Sequence, residues 1–152
     1  FMSLYNLQSN NILNKNIYIA SDHAGYELKK NIIDFYLPIV NIIDLGCSST
    51  NSVDYPDYAK KLCNNIKTSN DYGILICGTG IGMCIAANKF KNIRCALVYD
   101  TYTSEMSRKH NNSNIIALGS RKLNLQESID IINIFLQTDF EKGRHQQRIN
   151  KL

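Results

Sequence analysis

The stretch Tyr72-Gly73-Ile74-Leu75-Ile76-Cys77-Gly78-Thr79-Gly80-Ile81-Gly82 decides the fold of this chain of 152 residues. Residues 72–76 are an apolar run typical of a buried strand, and Cys77 ends that run. The glycines that follow predict a tight turn, and residues 83–87 predict the start of a helix. A strand that passes through such a turn into a helix is the repeating connection of a parallel α/β sheet.

The same alternation of strand and helix extends over most of the chain, which therefore predicts a parallel sheet covered by helices on both faces. Residues 1–15 form a polar, Asn-rich extension that could be disordered, and residues 16–152 are expected to form one domain. We predict five strands at residues 17–20, 39–45, 72–77, 94–98 and 114–118. We predict helices at residues 27–36, 56–67, 83 to about 90, 101–110 and 125–136.

The composition is that of a soluble globular protein, with 44% apolar and 20% charged residues. The net charge of +4 is mild: it can steer a phosphorylated substrate, and without a basic stripe it does not indicate nucleic acid. No apolar stretch reaches the ~18–20 residues that span a membrane. With no signal peptide visible either, we expect a cytoplasmic protein without membrane contact.

Cysteine and histidine spacing bears on disulfides and metals. The five cysteines include no C-x-x-C pair, so we expect reduced thiols rather than a disulfide framework or a zinc site. The three histidines lie far apart in the sequence without metal-ligand spacing, so we expect no metal. The cysteines are Cys47, Cys63, Cys77, Cys84 and Cys95, and the histidines are His23, His110 and His145.

Polar candidates follow the ends of several predicted strands. Asp22 and His23 follow the first strand, Cys77 ends the third, Asp100 follows the fourth, and Arg121 follows the fifth. Because the carboxyl ends of parallel strands meet at one edge, where α/β proteins bind their ligands, we expect these residues to lie together.

The thiol of Cys77 can act as a base at this edge. The backbone N–H groups of a glycine turn and helix start favour anions and stabilise a thiolate. That combination suits removal of a carbon-bound proton and stabilisation of the enolate-like anion. The alternatives are a structural turn and a small buried apolar cysteine. The turn fits neither the dinucleotide fingerprint, whose third glycine lies one residue later, nor the P-loop.

The other candidates have ordinary alternatives as well. Asp22 could cap a helix with His23 exposed, or the pair could hold sugar hydroxyls and move a proton. His110 could simply favour a helix C-terminus. Arg144 and Arg148 share one helical face and could bind a phosphate dianion, or form a solvated basic end.

These motifs occur in a specific order. The chain carries Ser21-Asp22-His23-Ala24-Gly25, Asp54-Tyr55-Pro56-Asp57-Tyr58-Ala59, Ile76-Cys77-Gly78-Thr79-Gly80-Ile81-Gly82, Ala86-Ala87-Asn88-Lys89, Arg108-Lys109-His110-Asn111, Gly119-Ser120-Arg121 and Gly143-Arg144-His145-Gln146-Gln147-Arg148. From about residue 16 to residue 149 the chain resembles type B ribose-5-phosphate isomerases, and the ordered combination is far more specific than any single motif.

The resemblance implies a Rossmann-like three-layer α/β/α sandwich with a five-stranded parallel sheet. It implies a homodimer, in some members a tetramer, whose active site is shared between subunits. It also implies interconversion of ribose 5-phosphate and ribulose 5-phosphate through an enediolate, without a cofactor.

The resemblance also implies residue roles. Cys77 is the proton-shuttling base, Thr79 assists proton movement on the oxygens, and His110 opens the furanose ring. The residues implied to bind substrate are Ser21, Asp22, His23, Gly78, Gly80, Ile81, Gly82, Asn111, Arg121, Arg144 and Arg148, with the three arginines on the phosphate.

Three other functions stay open at this stage. An isomerase of allose or galactose 6-phosphate would need a longer pocket, which one sequence does not give. A non-catalytic sugar-phosphate-binding module would need the arginines but not Cys77, His110 and the whole glycine turn. A nucleotide-dependent oxidoreductase is disfavoured by the position of the third glycine.

Overall fold

A computed structural model describes residues 10–152 of the chain. All pairings in its sheet are parallel, and the strand order is β2-β1-β3-β5-β4. The predicted five-stranded parallel sheet is therefore confirmed. The strands are β1 (Asn16–Ser21), β2 (Ile42–Asp44), β3 (Asp71–Cys77), β4 (Cys95–Leu97) and β5 (Ile115–Gly119).

Helices connect successive strands and follow the last one. None of those within residues 10–152 is long and apolar enough to cross a membrane. The expectation for residues 1–9 lies outside the described residues, whereas a short helix falls inside the predicted extension. The helices are α1 (Asn10–Leu13), α2 (Tyr26–Tyr36), α3 (Tyr55–Cys63), α4 (Ile81–Ala87), α5 (Thr101–Asn111), α6 (Leu125–Gln137) and α7 (Arg144–Ile149).

Side-chain hydrogen bonds explain why two helices end earlier than predicted. The Asp71 carboxylate accepts from the N–H groups of Lys67 and Thr68, which folds the chain after α3 into a turn. The Asn88 side chain bonds both backbone groups of Cys95, which ends α4 and ties it to β4. Polar residues at helix ends compete in this way with helical hydrogen bonds.

The sheet separates two apolar layers because alternate residues of each strand point to opposite faces. All seven residues of β3 are buried, as a central parallel strand requires. Ile74 and Ile76 pack with α2 and α6, and Leu75 and Cys77 with α3 and α4. Ile12 of α1 also joins the first layer. The three-layer sandwich is thus confirmed.

The chain reverses its direction of winding between β1 and β3, which are neighbours in the sheet. A crevice at such a switch point, beyond the carboxyl ends of the strands, is the usual ligand site of α/β folds. Helix α5 follows β4, runs back across the sheet, and ends before β5 begins. Its last residues therefore lie at the amino edge, opposite the glycine turn.

Candidate active site

Cys77 is the last residue of β3, and its side chain borders the glycine loop (residues 78–82). Its Sγ accepts a hydrogen bond from the N–H of Gly80 at 3.1 Å. Cys77 is only 5% exposed, so little bulk water surrounds the sulfur. The Gly80 N–H therefore fixes the position of the sulfur beside the loop.

The glycine loop presents unused backbone donors. In the described part of the chain, the N–H groups of Gly78, Thr79 and Gly82 have no hydrogen-bond acceptor. Gly80 adopts a φ of +79°, and a Cβ there would lie 3.0 Å from the backbone of Leu118. The turn therefore requires glycine at this position, and it leaves amides that can hold a developing negative charge.

Arg121 follows β5 and lies against the loop. A Cβ on Gly78 would come within 2.7 Å of the Arg121 guanidinium, so the cation sits directly over this glycine. Ser120 donates to the carbonyl of Ala24 at 2.8 Å, which joins the ends of β1 and β5. The expected gathering of these segments at one edge is thus observed.

Asp22 and His23 lie at the same edge, after β1. The Asp22 carboxylate accepts from the Gly25 N–H at 3.1 Å, so it caps the short 3-10 turn at His23–Gly25. His23 Nδ1 accepts from the Val53 N–H at 3.2 Å, which leaves Nε2 as the nitrogen that carries a proton and can face a ligand. Asp22 therefore performs the capping role, and the imidazole remains available.

Ser21 is fully buried at the end of β1. Its hydroxyl lies 3.9 Å from the Cys47 thiol. In this structure its contacts support the edge, and its predicted role in substrate binding stays a prediction.

Two tyrosines that are not among the predicted site residues frame the loop. The Tyr99 hydroxyl donates to the Thr79 carbonyl at 2.8 Å. A Cβ on Gly82 would meet the Tyr55 ring at 2.8 Å, so this ring packs on the loop backbone. Both side chains hold the loop in place from outside. Their contacts with the loop depend on the tertiary fold.

A second group of candidates lies at the ends of α5 and α7, and we call it the α5–α7 end. The His110 and His145 rings stack with centroids 4.3 Å apart and planes at 13°. Desolvation is the largest cause that lowers the pKa of His145, and the charges of His110, Arg144 and Arg148 lower this pKa further. The α5–α7 end comprises His110, Asn111, Arg144, His145 and Arg148.

The two groups lie at opposite edges of the sheet within one chain. None of the hydrogen bonds, ion pairs or ring contacts among residues 10–152 joins the α5–α7 end to the glycine loop. Helix α5 has 11 residues, and its rise of 1.5 Å per residue separates its two ends by about 15 Å. One chain therefore does not bring all the predicted site residues together.

The α5–α7 end also contains a group that could hold a metal ion. Ligand atoms of His110, Glu141 and His145 lie within 4.8 Å of one another. Sequence spacing missed this proximity because Glu141 and His145 are far along the chain from His110. The nearly parallel rings direct their nitrogen lone pairs side by side rather than toward one ion, and Arg144 and Arg148 add repulsion. The geometry therefore fits a metal poorly.

The fold places this chain in the class of α/β proteins that bind their ligands beyond the carboxyl ends of the strands, where the glycine loop lies. The chain belongs to the ribose/galactose isomerase family, whose model matches residues 17–152. It is 46% identical to the probable ribose-5-phosphate isomerase B of Mycoplasma pneumoniae, over 92% of this chain and 94% of that protein.

Solved structures show the same fold. A ribose 5-phosphate isomerase from Thermotoga maritima superimposes with a TM-score of 0.87 at 45% identity, covering 90% of this chain and 96% of that one. The isomerase B of Mycoplasma genitalium, solved with bound ribulose-5-phosphate, gives a TM-score of 0.82 at 44% identity, covering 91% and 94%. The resemblance inferred from the motifs is therefore confirmed.

Proposed function

We propose that this chain is an aldose–ketose isomerase that interconverts D-ribose 5-phosphate and D-ribulose 5-phosphate. The observation that carries the proposal is the Cys77 sulfur at the mouth of a loop whose amides are unused. The similarity to named ribose-5-phosphate isomerases, one solved with ribulose-5-phosphate, supports the choice of substrate.

The reaction moves one proton between neighbouring carbons. Cys77, as the thiolate, takes the proton from C2 of the open-chain aldose, and the electron pair flows into the C1 carbonyl oxygen. The loop amides stabilise the resulting enediolate. Thr79 helps to move a proton between the two oxygens, and the Cys77 thiol returns its proton to C1. Nothing is oxidised overall, so the proposed reaction needs no cofactor.

The remaining residues open and hold the sugar. His110 is assigned to ring opening, because an imidazole can exchange a proton near neutral pH. Asn111 and His23 contact the sugar, together with Ser21, Asp22 and the loop residues Gly78 to Gly82. Arg121, Arg144 and Arg148 bind the phosphate, for which guanidinium groups offer paired donors.

We propose that the complete site forms between two copies of the chain. A two-fold partner would bring its α5–α7 end to the glycine loop and receive the same in return. The loop is bordered by exposed apolar side chains, which a second copy would cover. Ile81 is 48% exposed, Ile85 58% and Tyr102 68%. A tetramer would be two such dimers.

A cytoplasmic location suits this proposal. All five cysteines are free thiols, as is usual for proteins of a reducing compartment.

The proposal is tested by an isomerisation assay on ribose 5-phosphate with no added metal or cofactor. Run in D₂O, the reaction should incorporate solvent deuterium into the product, because the shuttled proton exchanges on the thiol. Parallel assays with allose 6-phosphate and galactose 6-phosphate should give a lower kcat/KM. A faster reaction with either hexose phosphate would reassign the substrate, and no turnover of any of them would leave only a binding module.

A further inference from the structure

A second cavity lies at the amino edge of the sheet, away from the glycine loop. It has a volume of about 480 Å³, within the range of small-molecule sites. Its walls come from the residues just before the strands: Lys67 and Thr68 precede β3, Arg94 precedes β4, and Asn114 precedes β5. We call it the amino-edge cavity. The seven residues of β3 separate it from Cys77 by about 20 Å.

The charge of the amino-edge cavity is entirely of one sign. Lys67, Lys91, Arg94 and Arg108 line it, and its other described lining residues are neutral. Most of them carry amide or hydroxyl groups, which include the side chains of Asn92, Asn112 and Asn114, Thr68 and Ser69. Cations with neutral donors and no carboxylate are the lining expected of an anion site.

Arg108 is a buried cation without an ion-pair partner in residues 10–152. It is 5% exposed. Its guanidinium donates to neutral oxygens, namely the Ser113 carbonyl at 2.6 Å, the Asn112 side chain at 2.9 Å, the Thr138 carbonyl at 3.1 Å and the Tyr72 hydroxyl at 3.3 Å. Burial lowers its pKa, Tyr72 and Asp139 oppose that shift through space, and Arg94 adds to it.

Arg94 supplies the free donors. Its Nε donates to the Asn112 carbonyl at 2.9 Å, and its two terminal nitrogens have no acceptor in the described part of the chain. A guanidinium held at one nitrogen and open at two is ready for a bidentate contact with a phosphoryl group. A purely structural role at the end of α5 would explain the burial of Arg108. It would not explain why Arg94, Lys67 and Lys91 line the same cavity.

We propose that the amino-edge cavity binds a phosphoryl group, carried by a small phosphorylated metabolite, at a site separate from the isomerase site. The separation holds even in a dimer with shared sites. Arg108 lines the cavity and bonds the C-cap residue Asn112 at 2.9 Å, whereas His110 lies about 200° around α5 from Arg108. Occupancy would stabilise the last turn of α5, which also carries His110.

The test measures binding of pyrophosphate, inorganic phosphate and ribose 5-phosphate by calorimetry, with the full chain carrying Arg148→Gln. That change weakens the proposed isomerase phosphate site, and the Arg94→Gln comparison described next decides whether the remaining binding belongs to the amino-edge cavity. A free-anion site would prefer pyrophosphate or inorganic phosphate, and a metabolite site would prefer the phosphomonoester. Loss of detectable binding of all three probes in this background would overturn the proposal.

Arg94→Gln is then added, with Lys89→Gln as the matched control, because Lys89 is an exposed cation nearby that does not line the cavity. We expect Arg94→Gln to weaken probe binding about tenfold or more, and Lys89→Gln to change it less than twofold. Equal affinities in the two variants would overturn the proposal. Arg94→Gln alone should keep wild-type isomerase activity, so failure of this inference and failure of the proposed function give different results.

Discussion

The glycine loop and the α5–α7 end hold their polar groups in different ways. The loop is held by hydrogen bonds and ring packing, with Cys77 held by the Gly80 amide and the backbone framed by Tyr55 and Tyr99. Arg144 and Arg148 are exposed, and neither forms an ion pair within the described residues. A preorganised region stabilises the transition state. Long, unpaired cationic side chains instead bind the phosphate equally well in the ground state and in the transition state. The loop should therefore govern kcat, and Arg144 and Arg148 of the α5–α7 end should govern KM.

The sharpest test of this division is Cys77→Ser. A serine hydroxyl stays protonated at neutral pH and does not take a proton from carbon, so kcat should fall about 10²–10⁴-fold while KM changes only a few-fold. Steady-state kinetics on ribose 5-phosphate measures both. Cys84→Ser, a half-exposed thiol on α4, is the matched control and should stay within about twofold of wild type. A Cys77→Ser enzyme with more than a tenth of the wild-type kcat would contradict the assignment.

Mixing two inactive variants tests whether the two regions meet across a dimer. Cys77→Ser and His110→Ala are refolded together, so that about half of the dimers are mixed. Each mixed dimer has one intact site, made from the Cys77 of one subunit and the His110 of the other. Activity should recover to about a quarter of wild type.

Native mass spectrometry on the same sample counts the mixed dimers. Mixed dimers without recovered activity would mean that each site belongs to a single chain. A sample that stays monomeric would contradict the proposal that the chain forms a dimer.

Arg148→Ala tests the other half of the comparison. A charge-assisted hydrogen bond to phosphate is worth about 1.5–3 kcal/mol, so KM should rise about 10- to 100-fold with kcat nearly unchanged. Lys151→Ala removes an exposed cation just after α7 and should leave KM within about twofold. If Arg148→Ala lowered kcat and left KM unchanged, the assignment of Arg148 to phosphate binding would be wrong.

The sequence predicts the loop much better than the α5–α7 end, and the reason is physical. The glycine loop is local: the apolar run, Cys77 and the turn are contiguous, and strand polarity alone places them at the carboxyl edge. The contact of His110 with His145 depends on how α7 packs on α5, and no periodicity encodes it. The same holds for the tyrosines that frame the loop and for the cations that converge in the amino-edge cavity.

Short-range competition explains the errors in element length. The helices α3 and α4 were predicted to run to residues 67 and about 90, and they end at Cys63 and Ala87. The Asp71 side chain takes the N–H groups of Lys67 and Thr68, and the Asn88 side chain bonds both backbone groups of Cys95 in β4. These bonds join the chain just after each helix to the strand that follows it, so the apolar pattern of the helix does not reveal them.

The smallest expected effect is on the pH dependence of the stability of the fold, and it also distinguishes the two regions. Because the pKa of His145 in the folded chain lies below its usual value of about 6.5, the unfolded chain binds a proton there first as pH falls. The stability of the fold should be complete above about pH 7 and should decline as pH falls through 6.5 toward the lowered pKa. His145→Gln removes this proton uptake, so its Tm should change less between pH 7.5 and 5.5 than that of the wild type.

The slope of Tm against pH is the readout, because loss of the stacked ring lowers Tm at every pH. Gln147→Ala, an exposed neutral position on α7, should keep the wild-type slope. Hydrogen exchange should locate the acid sensitivity in α7, next to the charges of Arg144 and Arg148, and not in the glycine loop. If His145→Gln kept the wild-type slope, the acid-sensitive group would lie elsewhere, and the stacked imidazoles would not distinguish this end of the molecule from the loop.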